Sequence, residues 1–74
     1  MNLETLHDIL VSNKFGRWAD SGSQSIFIHA SVIKSITSSE EGYIVEATTP
    51  RTKKVLENLF YNNPEVVIVL SYRN

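Results

Sequence analysis

Cysteine is absent from all 74 residues, so neither a disulfide framework nor a thiolate centre is available. Histidine occurs twice, at His7 and His29, which is little material for a zinc site. There are only three glycines and two prolines. No G-x-x-x-x-G-K-S/T phosphate loop and no G-x-S-x-G nucleophile turn occurs. The longest apolar run is Val66–Leu70, five residues, against the roughly 20 that a membrane-spanning helix needs. Charge of neither sign dominates: seven basic against eight acidic side chains give −1. That balance argues against whole-surface nucleic-acid binding, although a local basic patch remains open.

The opening MNLETLHDIL has acidic residues and no apolar h-region, so it does not read as a secretory signal. No N-x-S/T sequon occurs, and a cytoplasmic location is the expectation. Apolar residues make up 42% of the chain, enough for one core, and a single domain over 1–74 is expected. Isoleucine and valine number 14 against six leucines, which tilts the balance toward sheet.

The most legible stretch runs from Gly42 to Tyr72. Tyr43–Thr48 is rich in β-branched residues and reads as a strand. Thr49 is a candidate N-cap and Pro50 suits the first helical position, where its missing N–H has no intrahelical partner. Val55, Leu56, Leu59 and Phe60 then recur at helical spacing. Asn62-Asn63-Pro64 ends that helix, because a residue before proline is pushed out of the α region. Val66–Leu70 is apolar at both faces of its pleat, so Glu65–Tyr72 reads as a covered strand, parallel to Tyr43–Thr48 and either adjacent to it or with one strand between. Its second face needs a cover, either helix 3–13 or a second chain, so a homodimer is an open alternative.

Upstream, Asn2 can cap a helix with Leu3, Leu6, Ile9 and Leu10 as its apolar stripe, and Gly16 is a candidate left-handed stop. Phe15 and Trp18 are expected to close one edge of the core. Asp20–Ser25 is expected as a polar loop. Ser25–Thr37 is either one long bent strand or two elements, with a helical turn at Val32-Ile33-Ile36 competing. Ser38–Gly42 is a hairpin loop. The expected fold is therefore α+β: a small mixed sheet of three to four strands with two helices, in the order α-β-β(-β)-α-β.

Arg51, Lys53 and Lys54 are the oddest local feature. Three cations occupy the first turn of a helix, where the backbone already presents positive partial charge. A bound anion would meet the free N–H groups and these side chains together. The competing expectation is three solvated charges relieved by Glu46 or Glu57. A helix–three-strand–helix order with Lys53-Lys54 opening the last helix resembles double-stranded-RNA-binding domains, whose lysines at that point touch phosphates. The resemblance implies a phosphate contact at Lys53 and Lys54. It departs at Val55-Leu56, where that family is alanine-rich, and at the further strand Glu65–Tyr72.

The carboxylates are scattered, and no acid–base pair or nucleophile–base spacing stands out, so no catalytic residue, cofactor or metal is expected. The expectation is a small non-enzymatic regulator or inhibitor that docks on another protein, of the kind phages and mobile elements encode as accessory proteins. Its contact residues would be Arg17 and Trp18, as an aromatic–cation pair, with Arg51, Lys53 and Lys54. The second reading is a nucleic-acid-binding module that uses the basic start of helix 50–61.

Overall fold

The polar residue ahead of each apolar stripe caps a helix. Asn2 Oδ1 accepts from the Thr5 N–H at 2.8 Å and opens α1, Leu3–Ser12. Thr49 Oγ1 accepts from the Thr52 N–H at 3.2 Å and opens α2, Pro50–Leu59. The computed structural model describes residues 1–71. The described residues hold five strands: β1 Gly16–Ser21, β2 Gln24–His29, β3 Ile33–Ser39, β4 Gly42–Ala47 and β5 Val66–Leu70. The α+β class and the two helices are as the sequence implies. The strands number five and fall in two sheets, ordered β1-β2 and β3-β4-β5. The chain divides into two units, one over Met1–Ala30 and one beginning at Ser31.

In the first unit, α1 ends at Asn13, whose side-chain amide donates to the Ile9 carbonyl at 2.8 Å. The left-handed residue is Lys14, with φ of 66°, and not Gly16. The Phe15 N–H then reaches back to the Leu10 carbonyl at 2.8 Å, closing the helix end. Gly16 is already strand. β1 and β2 form an antiparallel hairpin from Gly16↔His29 to Ser21↔Gln24. The polar stretch Asp20–Ser25 is thus mostly strand, with only Gly22-Ser23 as the turn. A two-residue Gly-Ser loop is a recognised hairpin closure. At the exposed hairpin tip neither face is buried, so the apolar–polar alternation that reveals a strand is missing there. Leu6 and Leu10 are the fully buried residues of α1.

The second unit has the predicted β4–α2–β5 order with β4 and β5 parallel, and of the two arrangements the sequence leaves open they take the adjacent one, from Tyr43↔Val66 to Ala47↔Leu70. The predicted end of that last strand, Tyr72, lies outside the described residues. β3 joins β4 antiparallel from Ile33↔Ala47 to Ser39↔Gly42, with an irregularity between Ile33 and Ser35 that leaves Lys34 exposed. Ser25–Thr37 is therefore two strands in different sheets, and no helical turn forms at Val32-Ile33-Ile36. Two strands before α2 belong to each sheet, so the helix–three-strand–helix order of double-stranded-RNA-binding domains is not formed.

α2 packs on β4 and β5. Its buried stripe is Thr52, Leu56 and Phe60, four residues apart, against Val45, Ala47, Val66 and Ile68. Val55, expected in that stripe, is 44% exposed. Thr52 takes its place without leaving a polar group stranded, because its Oγ1 accepts from Thr49 Oγ1 at 2.9 Å. On the opposite face of this sheet the register sets Ile44 beside Val67. These two are 40% and 50% exposed. On the same face Glu46 accepts from Ser35 Oγ at 2.8 Å. That bond is the main cause of a Glu46 pKa below the ordinary carboxylate value, with Lys34 a minor contributor. Ser71 adds a weaker pull, but its Oγ has no partner at hydrogen-bond geometry.

Candidate interaction surfaces

The hairpin of the first unit has two chemically distinct faces, because side chains alternate along a strand. On one face Trp18 lies directly opposite Phe27, and Gly16 opposite His29. α1 adds His7 and Asp8 to this face. The His7 ring stacks on Phe27 with centroids 4.2 Å apart and planes 10° from parallel. Trp18 meets both rings edge-on, at 5.5 Å from His7 and 5.7 Å from Phe27. His29 tilts onto Phe27 at 5.2 Å. Trp18 Nε1 donates to Asp8 Oδ1 at 2.9 Å, so the indole has both a ring partner and a polar partner. A Cβ on Gly16 would fall 2.6 Å from Phe27 Cε1, so the missing side chain makes room for the cluster.

Burial pushes the His7 pKa below its ordinary value, and the nearby His29 pushes it further, while Asp8 acts in the opposite direction. A neutral ring is what flat stacking on Phe27 suits. A solvent-open concavity of about 830 Å³ lies over the cluster, lined by Leu3, Glu4, His7, Asp8, Trp18 and Phe27 among others. Ser25 Oγ, at its rim, donates to Asp20 Oδ1 at 3.1 Å. Among the described residues, no three His, Asp or Glu side chains are grouped to hold a metal.

The other face of the hairpin carries Arg17, Ala19, Ile26 and Ile28, with Arg17 opposite Ile28 and Ala19 opposite Ile26. Arg17 is exposed, and Ile26 and Ile28 are 49% and 37% exposed. Arg17 and Trp18 are consecutive on a strand and so point to opposite faces. The structure does not bring them together as an aromatic–cation pair. Trp18 is committed to the His7–Phe27 cluster, and Arg17 is beside isoleucines instead. The sequence singled out neither isoleucine. The alternation Ile26-Phe27-Ile28-His29 was the available signal, and it becomes readable only once Phe27 is known to face α1.

The basic start of α2 is in the second unit. Thr49 caps it and Pro50 removes one free donor, so fewer backbone N–H groups remain for an anion. Lys53 Nζ pairs with Glu57 Oε2 at 2.8 Å, one turn along. Such a pair contributes about 0.3–0.5 kcal/mol on a helix surface. Arg51 and Lys54 are exposed and three residues apart, hence on one side of the helix. The first turn holds no acidic residue. Of the three cations, Arg51 and Lys54 have no ion-pair partner among the described residues, and Lys53 is partly neutralised.

No helix among the described residues is long and apolar enough to cross a membrane. No protein-family model matches this chain, and comparison with curated proteins and with solved structures gives no match either.

Proposed function

We propose that this chain is a small non-enzymatic regulator or inhibitor that acts by binding another protein through the outer face of the β1–β2 hairpin. The observation that supports this reading is that Ile26 and Ile28, two apart on β2 and both more than a third exposed, share one face with Arg17, which lies opposite Ile28. Apolar side chains that stand together on an exposed strand face and are rimmed by a cation mark a docking surface more than a solvated one. Arginine is also among the residues that dominate interface energies. The face is presented on a two-stranded hairpin whose other side is fixed by the Trp18–Phe27–His7 cluster, so its geometry is set before a partner arrives.

A second reading, nucleic-acid binding, has one observation in its favour: Arg51 and Lys54 share one side of the α2 start with no acidic residue in that turn. The two readings separate by salt. Phosphate contacts weaken steeply and linearly in log salt, and apolar docking does not. Binding to labelled duplex and single-stranded nucleic acid would be measured at low and physiological salt, with Arg51→Ala/Lys54→Ala beside the unmodified chain. Absence of binding even at low salt supports protein docking. Salt-sensitive binding that the double variant abolishes would replace it with the second reading.

A further inference from the structure

We infer that the free edge of β5 pairs with the β5 edge of a second copy, joining two three-stranded sheets into one of six strands. The inference is independent of the docking face on the hairpin. It starts from where the backbone groups of β5 go. The Tyr43 N–H bonds the Glu65 carbonyl at 2.8 Å, and the Ser71 N–H bonds the Ala47 carbonyl at 2.7 Å. Alternate residues of a strand serve the same neighbour, so 65, 67, 69 and 71 are turned toward β4. The N–H and C=O groups of Ile68 and Leu70 are turned the other way. No strand pairs with them among the described residues. The outward Val66 N–H is taken by the Asn63 carbonyl at 2.9 Å, which leaves the Val66 carbonyl.

The two edges of this sheet are treated differently. β3 carries the irregularity at Ile33/Ser35 with Lys34 exposed in it, and three exposed polar residues, Thr37, Ser38 and Ser39, at its far end. Bulges and lysines are the usual means of keeping an edge from pairing. β5 has neither. It reads Val-Val-Ile-Val-Leu, without charge, bulge or proline. An edge left unblunted beside one that is blunted is a pairing edge.

Two-fold antiparallel pairing centred on Ile68 overlaps all five residues. Ile68 then exchanges two bonds with Ile68 of the other copy, and each Leu70 N–H reaches the Val66 carbonyl opposite. Every unpaired outward N–H of the described β5 finds an acceptor. On the exposed face Val67 lies beside Val69 of the second copy, extending the Ile44–Val67 row across the junction. No two like charges meet along the strand.

Sedimentation of the full chain over a concentration series is the test, with hydrogen exchange read at the Ile68 and Leu70 amides. The mass should climb from 8.4 kDa toward twice that value, and the two amides should slow in step with it. Val67→Lys places a cation beside Val69 of the second copy and should weaken self-association on the order of tenfold or more. Ile28→Lys, on the hairpin, should leave it unchanged. A chain that stays at 8.4 kDa up to millimolar concentration, with Ile68 and Leu70 exchanging as unprotected amides, overturns the inference. So does a dimer that Ile28→Lys breaks and Val67→Lys spares.

Discussion

Gly22 and Gly42 both sit at positive φ, 67° and 148°, yet alanine should cost very different amounts at the two positions. At Gly22 an added Cβ meets nothing within 4 Å. The cost is the left-handed conformation alone, about 1–2 kcal/mol. It is offset by the roughly 0.4–1 kcal/mol that alanine gains by stiffening the unfolded chain. The net is on the order of 1 kcal/mol. At Gly42 the Cβ would fall onto the Glu65 carbonyl oxygen and 3.0 Å from its carbon. That atom is backbone and cannot rotate away. It also accepts the Tyr43 N–H bond that starts the β4–β5 ladder. A strained conformation of about 1–3 kcal/mol is therefore joined by the loss of a bond worth roughly 0.5–1.5 kcal/mol net. With the same gain from stiffening the unfolded chain subtracted, Gly42→Ala should cost about 1–4 kcal/mol, above the cost at Gly22. A chain of this size has a total stability of roughly 4–11 kcal/mol, so the loss is readily measured. Urea unfolding followed by far-ultraviolet circular dichroism gives both values, and Trp18 fluorescence reports separately on the first unit. Equal costs at the two glycines, or a neutral Gly42→Ala, would refute the close approach of Gly42 to Glu65 and with it the β4–β5 register.

Other perturbations have expected sizes too. Leu56 is fully buried under α2, so Leu56→Ala should destabilise by about 2–5 kcal/mol in the same urea assay. Thr49→Ala removes the cap of α2 and should cost about 1 kcal/mol, whereas Asn2→Ala should cost a similar amount at α1. The His7 pKa lies below its ordinary 6.5 in the folded chain, so the unfolded chain takes up the proton more readily. The His7 contribution is thus fully present above about pH 6.5 and is lost as pH falls from there toward the lower folded value. His7→Phe keeps a ring against Phe27 and should flatten that part of the pH–stability curve. An unchanged slope in the variant would show that His7 does not titrate in this environment.

The sequence was most informative where one residue type meets one structural need. Thr49-Pro50 and Asn62-Asn63-Pro64 bracket α2 closely, and the uninterrupted Val66–Leu70 run announces a strand parallel to β4. The hairpin was hidden for a different reason. Its tip is exposed at both faces, and its turn is only Gly22-Ser23, so Asp20–Ser25 has the composition of a loop. The end of the first helix near Asn13 was legible, but its left-handed residue was not: Lys14 adopts the conformation that favours glycine, two residues before a glycine that serves close packing instead. At the candidate contacts, Arg17-Trp18 looked like one unit because the residues are adjacent. On a strand, adjacency means opposite faces, and only the register reveals that Trp18 belongs with Phe27 and His7, and Arg17 with Ile28. The α2 cations were legible as a group. The division between Lys53, paired with Glu57, and the exposed Arg51 and Lys54 follows from helix spacing once the helix exists.

The docking reading is tested most directly by placing a photoreactive side chain at Ile28 in one variant and at Lys54 in another, and crosslinking each in living cells. A discrete protein adduct from position 28 that Ile26→Lys removes, with none from position 54, is the predicted result. Crosslinks to nucleic acid from position 54, with position 28 silent, would contradict it.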